Sequence, residues 1–131
     1  MDALSRHLIL ELFDCNLDVI NDPEKVKSAL VEAARRAQAT IMDIILHEFN
    51  PFGISGIVVL DRSHLSIHTW PEYRFAAVDI FSGGDAFQPE VTTNYLIEAF
   101  GAERTSVVEM QRGIFARELP VVAYAPEAAK S

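Results

Sequence analysis

From His7 to Phe13 the chain reads His-Leu-Ile-Leu-Glu-Leu-Phe, a short apolar run of strand length. Asn21-Asp22-Pro23 follows as a helix start, with Asp22 at the cap and Pro23 in the first turn. Between Glu24 and Gln38, Val26, Ala29, Leu30, Ala33, Ala34 and Ala37 recur at helical spacing, leaving Lys25, Lys27, Glu32, Arg35 and Arg36 mostly on the wet side. Thr40 to Phe49 is rich in Ile and reads as a second strand, ended by the turn Asn50-Pro51-Phe52-Gly53. Ile54 to Leu60, Ser63 to Trp70 and Phe75 to Phe81 read as three more strands, the last two joined through Pro71-Glu72-Tyr73-Arg74. A second helix is predicted from about Gln88 to Phe100, stopped by Gly101, and Thr105 to Met110 returns as a final strand.

Strand, helix, four strands, helix, strand is an α+β order. It predicts a two-layer α/β sandwich, a mostly antiparallel sheet with two main helices on one face. Residues 1–113 read as a single domain and 114–131, with Pro120, Pro126 and a run of Ala, as an irregular tail. Alternation along Ser63 to Trp70 sends Leu65, Ile67 and Thr69 to one side and His64, Ser66, His68 and Trp70 to the other. The second side is polar and aromatic, so it is a solvated face, a dimer face or a site.

A length of 131 residues, half of them hydrophobic, supports one core and leaves pairing with a second copy attractive as a way to hide more apolar area. Eleven basic against 19 acidic residues give a net charge of −8, and the bases are scattered, which argues against nucleic acid as a partner. Cys15 is alone, so no internal disulfide can form. Asp2, Arg6, Glu11 and Asp14 interrupt any apolar leader, and the apolar runs, such as Ile57 to Leu60, are far too short to span a bilayer. The expected setting is the cytoplasm, with no membrane.

His64 and His68 have the His-x3-His spacing that puts two imidazoles on one face of a helix, but the segment reads as a strand. There, residues four apart are separated by about 13 Å, too far for two ligands of one zinc, so no metal is expected. Ser55, Ser63 or Ser66 with His68 lacks the Gly-x-Ser-x-Gly elbow of a hydrolase, and no glycine-rich nucleotide loop occurs.

One block is more specific. His47-Glu48-Phe49-Asn50-Pro51-Phe52-Gly53-Ile54-Ser55-Gly56 is followed by Ser63-His64-Leu65-Ser66-Ile67-His68-Thr69-Trp70-Pro71-Glu72-Tyr73. Together with Arg6-His7-Leu8 and Glu109-Met110-Gln111-Arg112-Gly113, this resembles the short prokaryotic S-adenosylmethionine decarboxylase proenzymes over roughly residues 4 to 113. The resemblance implies a homodimer with sites at the subunit boundary, and a pyruvoyl cofactor made from the chain itself, without pyridoxal phosphate. Ser63 would attack the carbonyl of Arg62, and elimination and hydrolysis would leave residues 1–62 and a second chain beginning with a pyruvoyl group. That ketone would form a Schiff base with the substrate amine and accept the electrons released with CO2, feeding polyamine (spermidine) biosynthesis. His68 and Ser55 would assist processing, Phe49 and Trp70 would wall the adenine, and Glu72 would hydrogen-bond the ribose.

Two positions depart from the family pattern. Gly83 occupies the usual place of a proton-donating cysteine, leaving the donor unknown, and Arg62 stands where Glu is usual. Neighbouring Ser82 is a poor acid, and Cys15 reads as a buried structural thiol. A slower reaction is expected, and Gly83→Cys is expected to raise the rate or lengthen active life. A pyruvoyl-dependent arginine or ornithine decarboxylase, or an unprocessed dimeric binding module, stays open as an alternative.

Overall fold

The computed structural model describes residues 3–84 and 86–115. In chain order these form β1 (Ser5–Phe13), α1 (Leu17–Ile20), α2 (Pro23–Arg36), β2 (Ile41–Glu48), β3 (Ile54–Leu60), β4 (Ser63–Trp70), β5 (Phe75–Gly83), α3 (Pro89–Ala99) and β6 (Arg104–Arg112). The six strands make one sheet in the order β2-β3-β4-β5-β1-β6, and every neighbouring pair is antiparallel. This is the α+β sandwich anticipated from the element order. The tail expected at 114–131 lies, from residue 116 onward, outside the described residues.

Local chemistry accounts for the boundaries. Asp22 caps α2 by accepting from the Glu24 and Lys25 amides, at 2.9 and 3.3 Å, with Pro23 in the first turn. Strands β3 and β4 have the predicted limits, whereas β1, β5 and β6 run longer. Pairing explains the extension: Ser5 is matched to both Gly83 and Arg112, so the three strands lengthen together. Two short elements were not anticipated, α1, capped by Asn16, and a 3-10 turn at Pro71–Tyr73; each is too short for periodicity to reveal.

The helices cover one sheet face. Leu65 and Ile67 of β4, Val78 and Ile80 of β5 and Leu10 of β1 are buried against Val26 and Leu30 of α2 and Leu96 and Phe100 at α3. Arg6 ties the layers at one end, holding Glu109 of β6 and Glu90 of α3. Among the described residues, the opposite face carries no helix. Ile9, Ile45, Val59, Val108 and Met110 lie exposed there beside His7, Ser55, His64, Ser66, His68, Asp79 and Phe81. Five large apolar side chains on one sheet face are more than scattered surface residues.

Candidate active site

The candidate residues gather at the two ends of β4. At its start, β3 and β4 are joined by only Asp61 and Arg62, with Leu60 and Ser63 paired across the gap. So tight a link needs a left-handed residue, and Arg62 adopts it with φ 56°. Ser63 is buried, and its Oγ accepts a 2.9 Å hydrogen bond from the Gly83 amide. A cleft of about 620 Å³ opens here between Leu4, Ser5, Arg62, Phe81, Gly83, Gly84, Arg112 and Gly113.

Near the other end, Ser55 and His68 are a cross-strand pair, and Ser55 Oγ lies 2.7 Å from His68 Nδ1. Thr69, turned inward, accepts from the Ile54 amide at 3.0 Å and locks the register. The turn after β2 folds back through the Phe49 amide, which donates to the Gly53 carbonyl at 2.8 Å; Gly53 has φ 108°, a value only glycine adopts easily. Phe49 thereby shares a cleft of about 290 Å³ with Ser55, His68, Trp70 and Glu72, the last placed by the 3-10 turn. Phe49 and Trp70 are 48% and 42% exposed, so both rings have faces available to a ligand.

The structure therefore brings five of the predicted residues together and leaves Ser63, Arg62 and Gly83 elsewhere. Ser63 and His68 stand five residues apart on an extended strand, about 17 Å along its axis, and point to opposite faces. Within one chain, His68 and Ser55 do not reach Ser63.

Between the two ends lies a cluster of which strand alternation had indicated only His64 and Ser66. His7 Nε2 is 3.1 Å from Asp79 Oδ1, and Ser66 Oγ donates to Asp79 Oδ2 at 3.4 Å. The His64 ring stacks on Phe81, centroids 5.3 Å apart and planes within 2°. Burial lowers the His64 pKa, reinforced by the neighbouring His7. Strand parity was the available signal, since it places Asp79 and Phe81 on the open face, but pairing with His7 depends on β1 lying beside β5, which periodicity does not encode.

Neither Cys15 nor Ser82 replaces the missing thiol. Cys15 is buried beyond the far end of β1, donates to the Leu12 carbonyl at 3.5 Å, and burial pushes its pKa up to about 11. Ser82 points into the core and donates to the Phe87 carbonyl at 2.9 Å. Gly83 also cannot simply take a side chain. A Cβ there would overlap the Arg62 carbonyl oxygen and lie 3.3 Å from its carbon, so Gly83→Cys requires the Arg62 turn to shift. No group of three or more His, Cys, Asp or Glu able to hold a metal occurs among the described residues.

Residues 6–113 match the family model for S-adenosylmethionine decarboxylase. The chain belongs to that family. It is 56% identical over 114 residues, 87% of this chain and 84% of the relative, to the S-adenosylmethionine decarboxylase proenzyme of Thermodesulfovibrio yellowstonii. Against the proenzyme of the same name from Carboxydothermus hydrogenoformans it is 47% identical over 118 residues, 90% and 93% of the two chains. The crystal structure of the adenosylmethionine decarboxylase from Aquifex aeolicus superposes with a TM-score of 0.83 at 30% identity, over 92% of this chain and all of that one.

Proposed function

We propose that this family member is a cytoplasmic decarboxylase of S-adenosylmethionine that makes its own pyruvoyl group by cutting itself between Arg62 and Ser63. The observation that carries the reading is the arrangement at the β3–β4 turn: a buried Ser63 hydroxyl, fixed by the Gly83 amide, directly following a left-handed Arg62. The serine oxygen and the carbonyl carbon it attacks belong to adjacent residues, which gives the high effective concentration of an intramolecular reaction.

Ser63 Oγ loses its proton and bonds to the Arg62 carbonyl carbon; the C–N bond breaks, and the Ser63 nitrogen takes a proton, leaving an ester. Loss of the Ser63 Cα proton then breaks the Cβ–Oγ bond and releases Arg62 as a carboxylate. Water replaces the nitrogen, ammonia departs, and a ketone remains at position 63. The Ser63 environment fits this conversion, because its hydroxyl is anchored and its preceding carbonyl is presented by a strained turn residue. When formed, the pyruvoyl group supplies an electron sink for loss of CO2.

His68 is the proposed base for elimination, with Ser55 2.7 Å from its Nδ1 and orienting the ring. The 17 Å gap along β4 means that this base must come from another copy. A two-fold dimer across the open sheet face supplies it and covers Ile9, Ile45, Val59, Val108 and Met110 at the same time. Each catalytic unit would then combine Ser63 of one domain with Ser55, His68, Phe49, Trp70 and Glu72 of the other. Phe49 and Trp70 offer two aromatic faces to adenine and to the sulfonium, and Glu72 accepts from the ribose hydroxyls.

Denaturing electrophoresis and intact mass test the proposal. The 14.6 kDa chain should give two fragments of about half that mass, the second carrying a ketone that hydrazine reagents label, and Ser63→Ala should stay whole and inactive. A wild-type chain that remains uncut on long incubation at neutral pH refutes it. Release of CO2 from arginine or ornithine, with none from S-adenosylmethionine, would keep the cleavage and replace the substrate.

A further inference from the structure

We infer that Arg112 is a catalytic residue of the self-cleavage: its guanidinium receives the carboxylate that forms on Arg62 when the Ser63 Cβ–Oγ bond breaks. The inference rests on the cleavage reading above and deepens it, assigning a group to the charge that the elimination step creates.

Arg112 lies at the end of β6, in register with Ser5, and Ser5 is in register with Gly83. The three form one row on the same side of the sheet, and Gly83 is the residue whose amide holds Ser63 Oγ at 2.9 Å. Although β1 separates β6 from β5, the Arg112 side chain crosses it: its guanidinium carbon stands 5.7 Å from the centre of the Phe81 ring on β5. Its charge is felt as far as β4, where it adds to burial in lowering the His64 pKa. The cation is thus carried back over the sheet into the cleft of about 620 Å³ that it lines together with Arg62 and Gly83. Of the segment Glu109–Gly113, Glu109 is engaged by Arg6, which leaves Arg112 to face that cleft.

The cleft is electropositive in a chain of net charge −8. Among the described residues lining it, Arg62 and Arg112 are charged and none is acidic. Arg62 turns its own side chain outward, 78% exposed and with its Nε 3.5 Å from Asp61. No carboxylate pairs with Arg112 among the described residues. Elimination would supply one. The ester joining Arg62 to Ser63 is neutral; loss of the Ser63 Cα proton sends an electron pair into the Cα–Cβ bond, the Cβ–Oγ pair leaves with the oxygen, and Arg62 becomes a carboxylate. A guanidinium meets that group with two parallel N–H donors, a contact weak to an ester and strong to a carboxylate. A contact that strengthens on the way to the transition state accelerates the step in which it does so. The preceding acyl shift starts and ends on neutral groups, so Arg112 acts on elimination.

The test compares wild type, Arg112→Gln and Arg112→Lys with and without hydroxylamine, which cuts an ester but not a peptide bond, and uses Ser63→Ala as the uncut reference for melting temperature. In buffer, Arg112→Gln should form fragments about 100-fold more slowly than wild type, the effect of losing a donor aimed at developing negative charge. With hydroxylamine it should be cut readily, giving a second fragment that begins with an intact Ser63 and carries no ketone. Arg112→Lys keeps the charge, loses the two-pronged fit, and should fall between the two. Arg112 is exposed on an edge strand, so both variants should melt with the reference. Cleavage of Arg112→Gln at the wild-type rate, or a slowed chain that hydroxylamine leaves whole, overturns the inference while the cleavage reading stands. Equal rates for the Gln and Lys variants also overturn it. An uncut wild type ends both. Should Arg112→Gln fail to fold, Arg112→Lys decides: slowed and hydroxylamine-sensitive cleavage supports the inference, and the wild-type rate refutes it.

Discussion

Mixing two inactive variants provides the sharpest test of a site shared between copies. Ser63→Ala removes the nucleophile but keeps His68; His68→Ala keeps the nucleophile and removes the base. On one chain these groups are about 17 Å apart along β4 and on opposite faces, against the roughly 3 Å needed for proton transfer, so His68 cannot serve its own Ser63. Each variant alone should stay almost entirely uncut, the loss for His68→Ala being about 10²- to 10⁴-fold in rate, as for a missing acid–base group. Co-expressed in equal amounts, the two chains should pair at random, making about half of all dimers mixed. Each mixed dimer contains one complete combination, Ser63 from the His68→Ala chain with His68 from the Ser63→Ala chain. About half of the His68→Ala chains, or roughly a quarter of all chains, should then be cut, and a mass tag on either variant should show every fragment coming from His68→Ala. Cleavage no greater than the sum of the separate variants would refute the shared site. Efficient cleavage of His68→Ala alone would remove His68 from processing.

Three further expectations follow from the geometry. Leu65→Ala, at a fully buried position in the centre of β4, should cost about 3 kcal/mol and lower the melting temperature by roughly 10 °C in calorimetry. Trp70→Ala should raise KM for S-adenosylmethionine about 10-fold or more with a smaller effect on kcat and none on cleavage, since base–aromatic stacking is worth about 1–3 kcal/mol; unchanged KM would take the ring out of the substrate site. His64 has a pKa lowered by burial, so its contribution to stability is full above its unfolded value near about 6.5 and is lost as pH falls through the folded value; urea midpoints from pH 8 to 5 should fall less steeply in His64→Gln than in wild type.

How far the sequence determines this picture varies with the scale of the contact. Strands β3 and β4 were legible to the residue because a two-residue link and strict alternation fix both ends, and α2 because Asp22 and Pro23 announce its start. The order of the strands was not legible. β1 is inserted between β5 and β6, a long-range pairing that places His7 beside Asp79 and lines up Ser5, Gly83 and Arg112 around the cleft at Ser63. No local pattern carries that information, so His7 and Asp79 went unseen on the open face, while Ser55, His68, Trp70 and Glu72 came from the family resemblance, the β3–β4 pairing joining Ser55 to His68.

The same distinction explains why the motif misleads about distance. Ser63 and His68 sit in one ten-residue block, and their closeness in sequence invites the view that they act on each other directly. On a helix a separation of five residues spans about 7.5 Å; on a strand it spans more than twice that, and odd spacing reverses the face. The compact motif thus describes parts that one chain holds apart. Glycine at 83 makes a contact that a motif cannot display, the carbonyl oxygen of residue 62 standing where its Cβ would be. Residues 62 and 83 are a structural pair, and a side chain introduced at 83 must be accommodated by the backbone of residue 62. This coupling makes a thiol at 83 a change to the cleavage turn as much as to the chemistry that follows, so its effect on fragment formation must be measured before its effect on turnover can be interpreted.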